Sequence, residues 1–371
     1  EKFASELIEL IRNGALKDSE KLPSVRHASK TYHISPATVL EAYYLLEAQG
    51  IIYAKERSGF YVNPIFNNTL KLPAQQEKTA QETNIHVSDF IFSILKNLKD
   101  TDTVQFGSAF PDPKLFPIAD LTQSMHKALH SIIDQPHELI ADLTRGHEQL
   151  IKQIELRYML NGIALRPNEV VITNGAMEAL SLSLQATTQA GDTVAIESPV
   201  FYAILQILER LQLKAVEIPV DPKSGMDLNT LEEAIQNFPI KAIVLMTNFQ
   251  NPIGASLADD KQHKLIELIE RYKIPTIIDD VYLELYYGKQ SPQSLKAFDQ
   301  HGLIIHCSSF SKCLSPGFRI GWVAGGHFSR DIERLKLMTT LSPSMPSQLA
   351  LSHYLAHKHY DRHLQKLRHI L

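Results

Sequence analysis

Leu303-Ile304-Ile305-His306-Cys307-Ser308-Ser309-Phe310-Ser311-Lys312 begins as an unbroken apolar run and turns abruptly polar. A short apolar run without alternation suits a strand covered on both faces. Four other stretches share the pattern: Val170-Val171-Ile172, Thr193-Val194-Ala195-Ile196, Ala242-Ile243-Val244-Leu245 and Thr276-Ile277-Ile278. Helical stretches separate them, so the expected body is α/β, with a mostly parallel sheet flanked by helices. Ligands of such sheets sit beyond the carboxyl ends of the strands. The residues that follow each run are therefore the candidates for chemistry.

After Leu245 comes Thr247-Asn248-Phe249-Gln250-Asn251-Pro252-Ile253-Gly254, and after Ile278 comes Asp279-Asp280-Val281-Tyr282. After Ile305 come Ser308 to Lys312 and then Pro316-Gly317-Phe318-Arg319-Ile320-Gly321-Trp322. These groups lie about thirty residues apart, the length of one βαβ unit, so they should converge at one sheet edge. Together they suit pyridoxal 5'-phosphate (PLP). Lys312 offers the amine for a Schiff base. Asp279 can keep the pyridine nitrogen protonated, which the ring needs as an electron sink. Asn251 and Tyr282 can donate to the phenolic oxygen. Ser309, Ser311 and Arg319 suit the phosphate, as do backbone amides where Thr173-Asn174-Gly175-Ala176-Met177 opens a helix. Singly, each group is ordinary: Asn-Pro-x-Gly makes turns, Asp279 could cap a helix, and Arg319 could join a surface ion pair. Their joint order favours the cofactor, and no metal is expected.

Residues 1–64 form a separate unit. Phe3, Leu7, Ile8 and Ile11 recur at helical spacing up to Asn13-Gly14. Ser24 after Leu22-Pro23 should cap a second helix running towards Tyr32. Ser35 followed by Pro36 should start a third, with Val39, Ala42, Tyr43 and Leu46 inward and Gly50 beyond its end. Ile51-Ile52-Tyr53 and Phe60-Tyr61-Val62 flank Lys55-Glu56-Arg57-Ser58-Gly59, a hairpin with a charged tip. Three helices and a hairpin make a winged helix-turn-helix; a small protein-interaction domain is the alternative. Residues 65–86 lack apolar periodicity and are expected to be a linker, leaving 87–371 as the PLP-binding body.

The 371 residues carry a formal net charge of -4, with 44% hydrophobic and 21% charged residues, an ordinary globular balance. Mild acidity excludes a uniformly basic coat but permits a local nucleic-acid face. Cys307 and Cys313, the only cysteines, do not make a disulfide framework, which fits a reducing cytoplasm. No apolar run is long enough for a bilayer.

From about Thr103 onwards the chain resembles the fold-type I aminotransferases, through Asn251-Pro252-Ile253-Gly254, Asp279-Asp280-Val281-Tyr282 and Ser309-Phe310-Ser311-Lys312 leading to Arg319. Residues 1–64 resemble the head of GntR regulators, through Leu22-Pro23-Ser24-Val25-Arg26, Ser35-Pro36-Ala37-Thr38-Val39 and Gly59-Phe60-Tyr61-Val62. Head, linker and body in this order resemble the MocR subgroup of that family. The resemblance implies a Schiff base at Lys312 and a pyridinium partner at Asp279. It implies phenolic-oxygen donors at Asn251 and Tyr282, and phosphate contacts from Ser309, Ser311, Arg319 and the amides of Ala176 and Met177. It also implies a ring stacked on the cofactor, assigned to Phe201 with Tyr202 as the alternative. In the head it implies Ser35, Ala37 and Thr38 facing a double-stranded DNA operator, Arg26 on phosphate, and Lys55, Arg57, Ser58 and Gly59 in the wing.

Two departures from the family pattern matter. The recognition helix offers no cation at Pro36, Ala37 or Leu40, and residues 1–64 balance eight basic against eight acidic side chains. Monomer binding should then be weak and salt-sensitive, and a homodimer reading two half-sites would compensate. The C-terminal small domain is expected to be incomplete at Leu371, with Arg368 a poor stand-in for the family's carboxylate-binding arginine. A tyrosine frequent upstream of the glycine in Asp142-Leu143-Thr144-Arg145-Gly146-His147 is also missing.

A metabolic transaminase has no use for a winged helix. The expectation is therefore a PLP-dependent transcriptional regulator that senses an amino compound by external aldimine formation at Lys312. An aminotransferase with an accessory DNA-binding domain is the alternative, and a residual half-reaction fits either.

Overall fold

The computed structural model describes residues 2–55, 58–64, 82–97, 107, 109–140, 144–288, 291–357 and 359–371. The chain divides into two compact units, Glu1–Pro73 and Ala74–Leu371.

The first unit holds α1 (Lys2–Arg12), α2 (Val25–Tyr32), α3 (Pro36–Ala48), β1 (Ile52–Lys55) and β2 (Gly59–Val62). Ser24 and Ser35 cap α2 and α3 by accepting from the amides of His27 and Thr38, and Pro36 occupies the first turn of α3. Phe3, Leu7 and Ile11 of α1 meet Val39, Tyr43 and Leu46 of α3 over Ile52 and Val62 of the hairpin, all buried. Each such side chain contributes about 1.5–3 kcal/mol on burial, which offsets ordering a unit this small. Tyr43 keeps its hydroxyl satisfied by donating to Pro23 O at 2.7 Å. β1 and β2 pair antiparallel from Ile52–Val62 to Lys55–Gly59, the expected hairpin.

The second unit opens with β3 (Glu82–Asn84), α4 (Ser88–Asn97), α5 (Ile118–Asp134) and α6 (Glu148–Leu160). There follow β4 (Val170–Thr173), α7 (Ala176–Thr187), β5 (Thr193–Ser198), α8 (Tyr202–Arg210), β6 (Lys214–Asp221) and β7 (Gly225–Met226). Next come α9 (Leu228–Asn237), β8 (Ile240–Leu245), α10 (Asp259–Tyr272), β9 (Thr276–Asp279), β10 (Ile304–Ser309) and β11 (Gly321–Ala324). The helices α11 (Ser329–Thr339), α12 (Met345–Ala356) and α13 (His359–Ile370) complete it. The strand order is β3-β6-β5-β8-β9-β10-β11-β4, with β7 alongside β6. β6, β5, β8, β9 and β10 run parallel, whereas β11 is antiparallel to both neighbours. The sheet is thus mixed but mostly parallel, and the five apolar runs of the sequence are strands within it.

Val171, Val194, Ile196, Val244, Ile277 and Ile305 face one helical layer; Ala195, Ile243, Leu245, Ile278 and Ile304 face the other. Burial on both faces is why these strands lack alternation. Ahead of β4 and β10, the buried Lys296 binds Glu169 at 2.5 Å and Asp299 at 2.8 Å. This ties the amino ends of the strands together, away from their carboxyl ends.

Residues 82–84, inside the stretch expected to be linker, form β3 and pair with Lys214–Val216 of β6. The polar sequence Glu82-Thr83-Asn84 is tolerated because an edge strand needs backbone partners more than apolar side chains.

Candidate functional site

The carboxyl ends of β4, β5, β8, β9 and β10 open onto a cavity of about 300 Å³. Lys312, Asp279, Asn251, Tyr282, Ser309, Ser311, Arg319, Ala176, Met177 and Phe201 all line it. So the residues expected to bind a cofactor, gathered from five chain segments, share one cavity.

Asp279 ends β9 with 5% of its surface exposed. Burial pushes its carboxyl up to about 7. The Val281 amide, 3.4 Å from Oδ1, opposes the rise, Asp280 adds to it, and Lys312 lowers it. Lys312 follows β10; burial pushes its amine down to about 8, against the pull of Asp279. Lys312 Nζ donates to Ala109 O at 3.2 Å and lies 3.5 Å from the centroid of the Phe110 ring. An amine lowered to this degree keeps a substantial unprotonated fraction at neutral pH, as a nucleophile must. Asn251 Nδ2 lies 3.5 Å from Tyr282 Oη, and burial pushes the Tyr282 phenol up to about 12, so it stays a donor.

The same cavity gathers donor groups around the turn between β4 and α7. Gly175 turns the chain between β4 and α7 at φ 81°, leaving the first amides of α7 beside Ser309, Ser311 and Arg319. Arg319 itself sits in the left-handed region and donates to Asn174 O at 3.0 Å. A Cβ on Gly175 would fall 2.7 Å from Arg319 Nη2, and one on Gly321 would fall 2.5 Å from the Gly175 carbonyl carbon. Ser311 Oγ is buried without a hydrogen-bond partner. Phe201 precedes α8, with its ring 4.6 Å from that of Tyr202, and both line the cavity. Motif reading missed Ala109, Phe110, Leu180, Gln206 and Met246. Ala109 and Phe110 could have been sought only by asking what covers the lysine.

In the first unit Arg26, Ser35, Ala37, Thr38, Lys55 and Gly59 are exposed. Ser35 Oγ is already engaged by Thr38, with the amide at 3.1 Å and the hydroxyl at 2.8 Å. Ser58 is half-buried, 2.7 Å from Tyr61 Oη. Arg57 lies outside the described residues. Tyr44 and Leu45 of α3 and Tyr53 of the wing are also exposed, and the Tyr53 ring stacks on Tyr61 at 5.8 Å. Among the described residues no helix is long and apolar enough to cross a membrane, and no His/Cys/Asp/Glu cluster could hold a metal.

Fold and cavity define an aminotransferase-type body joined to a winged helix-turn-helix. Residues 116–371 match the class I and II aminotransferases, and residues 1–62 match the bacterial regulatory proteins of the gntR family. The chain belongs to the GntR-family transcriptional regulators with an aminotransferase-like body, the MocR subgroup. It is 46% identical over 369 residues to the uncharacterized HTH-type transcriptional regulator YdcR of Escherichia coli K12, covering 99% of this chain and 78% of YdcR. It is 29% identical over 364 residues to the HTH-type transcriptional regulator NorG of Staphylococcus aureus NCTC 8325, covering 95% of this chain and 78% of NorG. The multiple substrate aminotransferase of Thermococcus profundus superposes with a TM-score of 0.68 at 28% identity, over 75% of this chain and 70% of that one. A Pyrococcus horikoshii kynurenine aminotransferase, solved in complex with PMP, gives 0.67 at 28% identity with the same coverage.

Proposed function

We propose that this regulator holds PLP on Lys312, senses a small amino compound there, and binds double-stranded DNA through its first unit. The observation that carries the proposal is the cavity that Lys312 and Asp279 share with Ser309, Ser311, Arg319 and the start of α7. The residues fit the cofactor. Ser311 Oγ, buried and unpartnered, suits a phosphate oxygen, and Gly175, at positive φ, lets the Arg319 guanidinium come closer than a Cβ there would allow. PLP, when bound, supplies an aldehyde that condenses with primary amines and a ring that withdraws electrons.

Burial raises the Asp279 carboxyl to about 7, and a protonated ring nitrogen beside it would be a cation that favours its charged form. Asn251 and Tyr282 would orient the ring by donating to its oxygen, Phe201 would cover one face, and Ser309, Ser311, Arg319 and the Ala176 and Met177 amides would hold the phosphate. Lys312 would supply the amine that holds the cofactor's aldehyde, and Ala109 O stands within reach of its Nζ as an acceptor. Signalling then requires the effector to bind two arrangements of the protein with different affinity. A cytoplasmic homodimer reading two half-sites is part of the proposal, and light scattering checks the dimer.

The test is spectroscopic. Purified protein should show a visible PLP band, become covalently labelled at Lys312 by borohydride, and lose both in Lys312→Ala. An unchanged band in that variant sinks the proposal. An amine that shifts the band should also change retention of promoter DNA in a gel. The aminotransferase likeness favours one second reading, an aminotransferase with an accessory DNA-binding domain. Turnover of an amino-acid and keto-acid pair at about 10 per second would establish it.

A further inference from the structure

Glu197 stands at the site end of β5 with 2% of its surface exposed, yet it does not line the cavity. Its Oε2 accepts from Met246 N at 2.9 Å, and the Gln250 side chain is close enough to favour the charged form of the same carboxyl. Gln250 also donates from Nε2 to Pro199 O at 2.8 Å and accepts from Ile253 N at 2.9 Å. Asn251 N reaches back to Met246 Sδ at 3.3 Å. These bonds pin both ends of the turn from Met246 to Ile253, and that turn carries the Asn251 amide into the cavity beside Tyr282.

We infer that Glu197 is a positioning residue, fixing the turn that presents the Asn251 amide to a ligand ring held over Lys312. This deepens, and rests on, the assignment of the cavity to PLP. Burial pushes the Glu197 carboxyl up to about 8 against the opposing effects of the Met246 amide and the Gln250 side chain, and the charge of Asp279 adds to the rise. Its role is therefore acceptor geometry rather than charge. A neutral group of the same shape can fill that role, and a missing one leaves the buried Met246 amide unpaired.

The experiment follows the visible band of the PLP-loaded, full-length protein across pH. A donor to the ring oxygen stabilises its anionic form, so Asn251→Ala should raise the titration midpoint by about one pH unit. Glu197→Ala should raise it in the same direction and weaken PLP binding roughly tenfold, the scale of losing an outer support. Glu197→Gln should restore both. The Glu197→Ala/Asn251→Ala double variant should shift no further than Asn251→Ala, because both act through one amide. Gln250→Ala cuts the next link and serves if Glu197→Ala is poorly soluble. A purely structural role would lower Tm without moving the midpoint. The inference is overturned if folded, loaded Glu197→Ala and Gln250→Ala keep the wild-type midpoint while Asn251→Ala moves it. If Asn251→Ala leaves the midpoint unchanged, or the wild type shows no band, the assignment of the cavity itself fails and takes the inference with it.

Discussion

Asp279 couples the cavity to pH. Its carboxyl is raised from 3.8 to about 7, so the folded chain binds that proton more tightly than the unfolded chain does. The stability it contributes is complete below about 4 and is lost as pH rises through about 7. Lys312 is depressed from 10.5 to about 8, so its contribution is present above 10.5 and is lost as pH falls through 8, a separate window. Cofactor-free wild type should therefore lose urea resistance relative to Asp279→Asn between pH 4 and 7, and PLP should reverse the loss in wild type alone. Parallel curves for the two proteins would rule this out. That Asp279, Lys312 and Arg319 share one cavity was legible in the sequence, because the polar stretches that follow parallel strands converge at one sheet edge. Ala109 and Phe110 were not, since Ala109 meets Lys312 across a sequence separation of 203, with Phe110 next to it, and no local pattern encodes that. Ser35 was legible as a cap, and its hydroxyl is held in that duty.

At the scale of elements, two joints set the behaviour. The β4–α7 joint depends on Gly175, where a side chain meets both an unfavourable positive φ and Arg319. Gly175→Ala should weaken PLP binding at least tenfold while leaving DNA binding by the first unit intact, as titration of the visible band beside a gel shift would reveal. A variant with wild-type affinity would show that the cup has slack. In the head, the start of α3 depends on Ser35, and Ser35→Ala should cost about 1 kcal/mol of the first unit's stability, read by chemical denaturation. The doubly buried strands were legible because hydrophobic burial on both faces leaves continuous apolar runs. β6 and β11 were not legible as strands: Lys214, Glu217 and Pro219 interrupt the former, and the latter follows directly on the polar Arg319 stretch. β3 is a strand only because β6 lies beside it.

For the whole molecule, two compact units imply two separable activities. A chain lacking residues 1–73 should keep the visible band and lose promoter retention, and retained DNA binding would refute the role assigned to the head. The order of strands carries one more consequence. β4 is the first of the central strands to be synthesised, yet its neighbour in the sheet is β11, the last. The turn after β4, proposed above to hold the phosphate, is closed only when Arg319 reaches Asn174, 145 residues later in the chain. A polypeptide emerging from the ribosome at about 5–20 residues per second therefore carries half a cup for many seconds. Cofactor capture must wait for the final strand, so a stalled nascent chain ending before Gly321 should remain colourless however much PLP surrounds it.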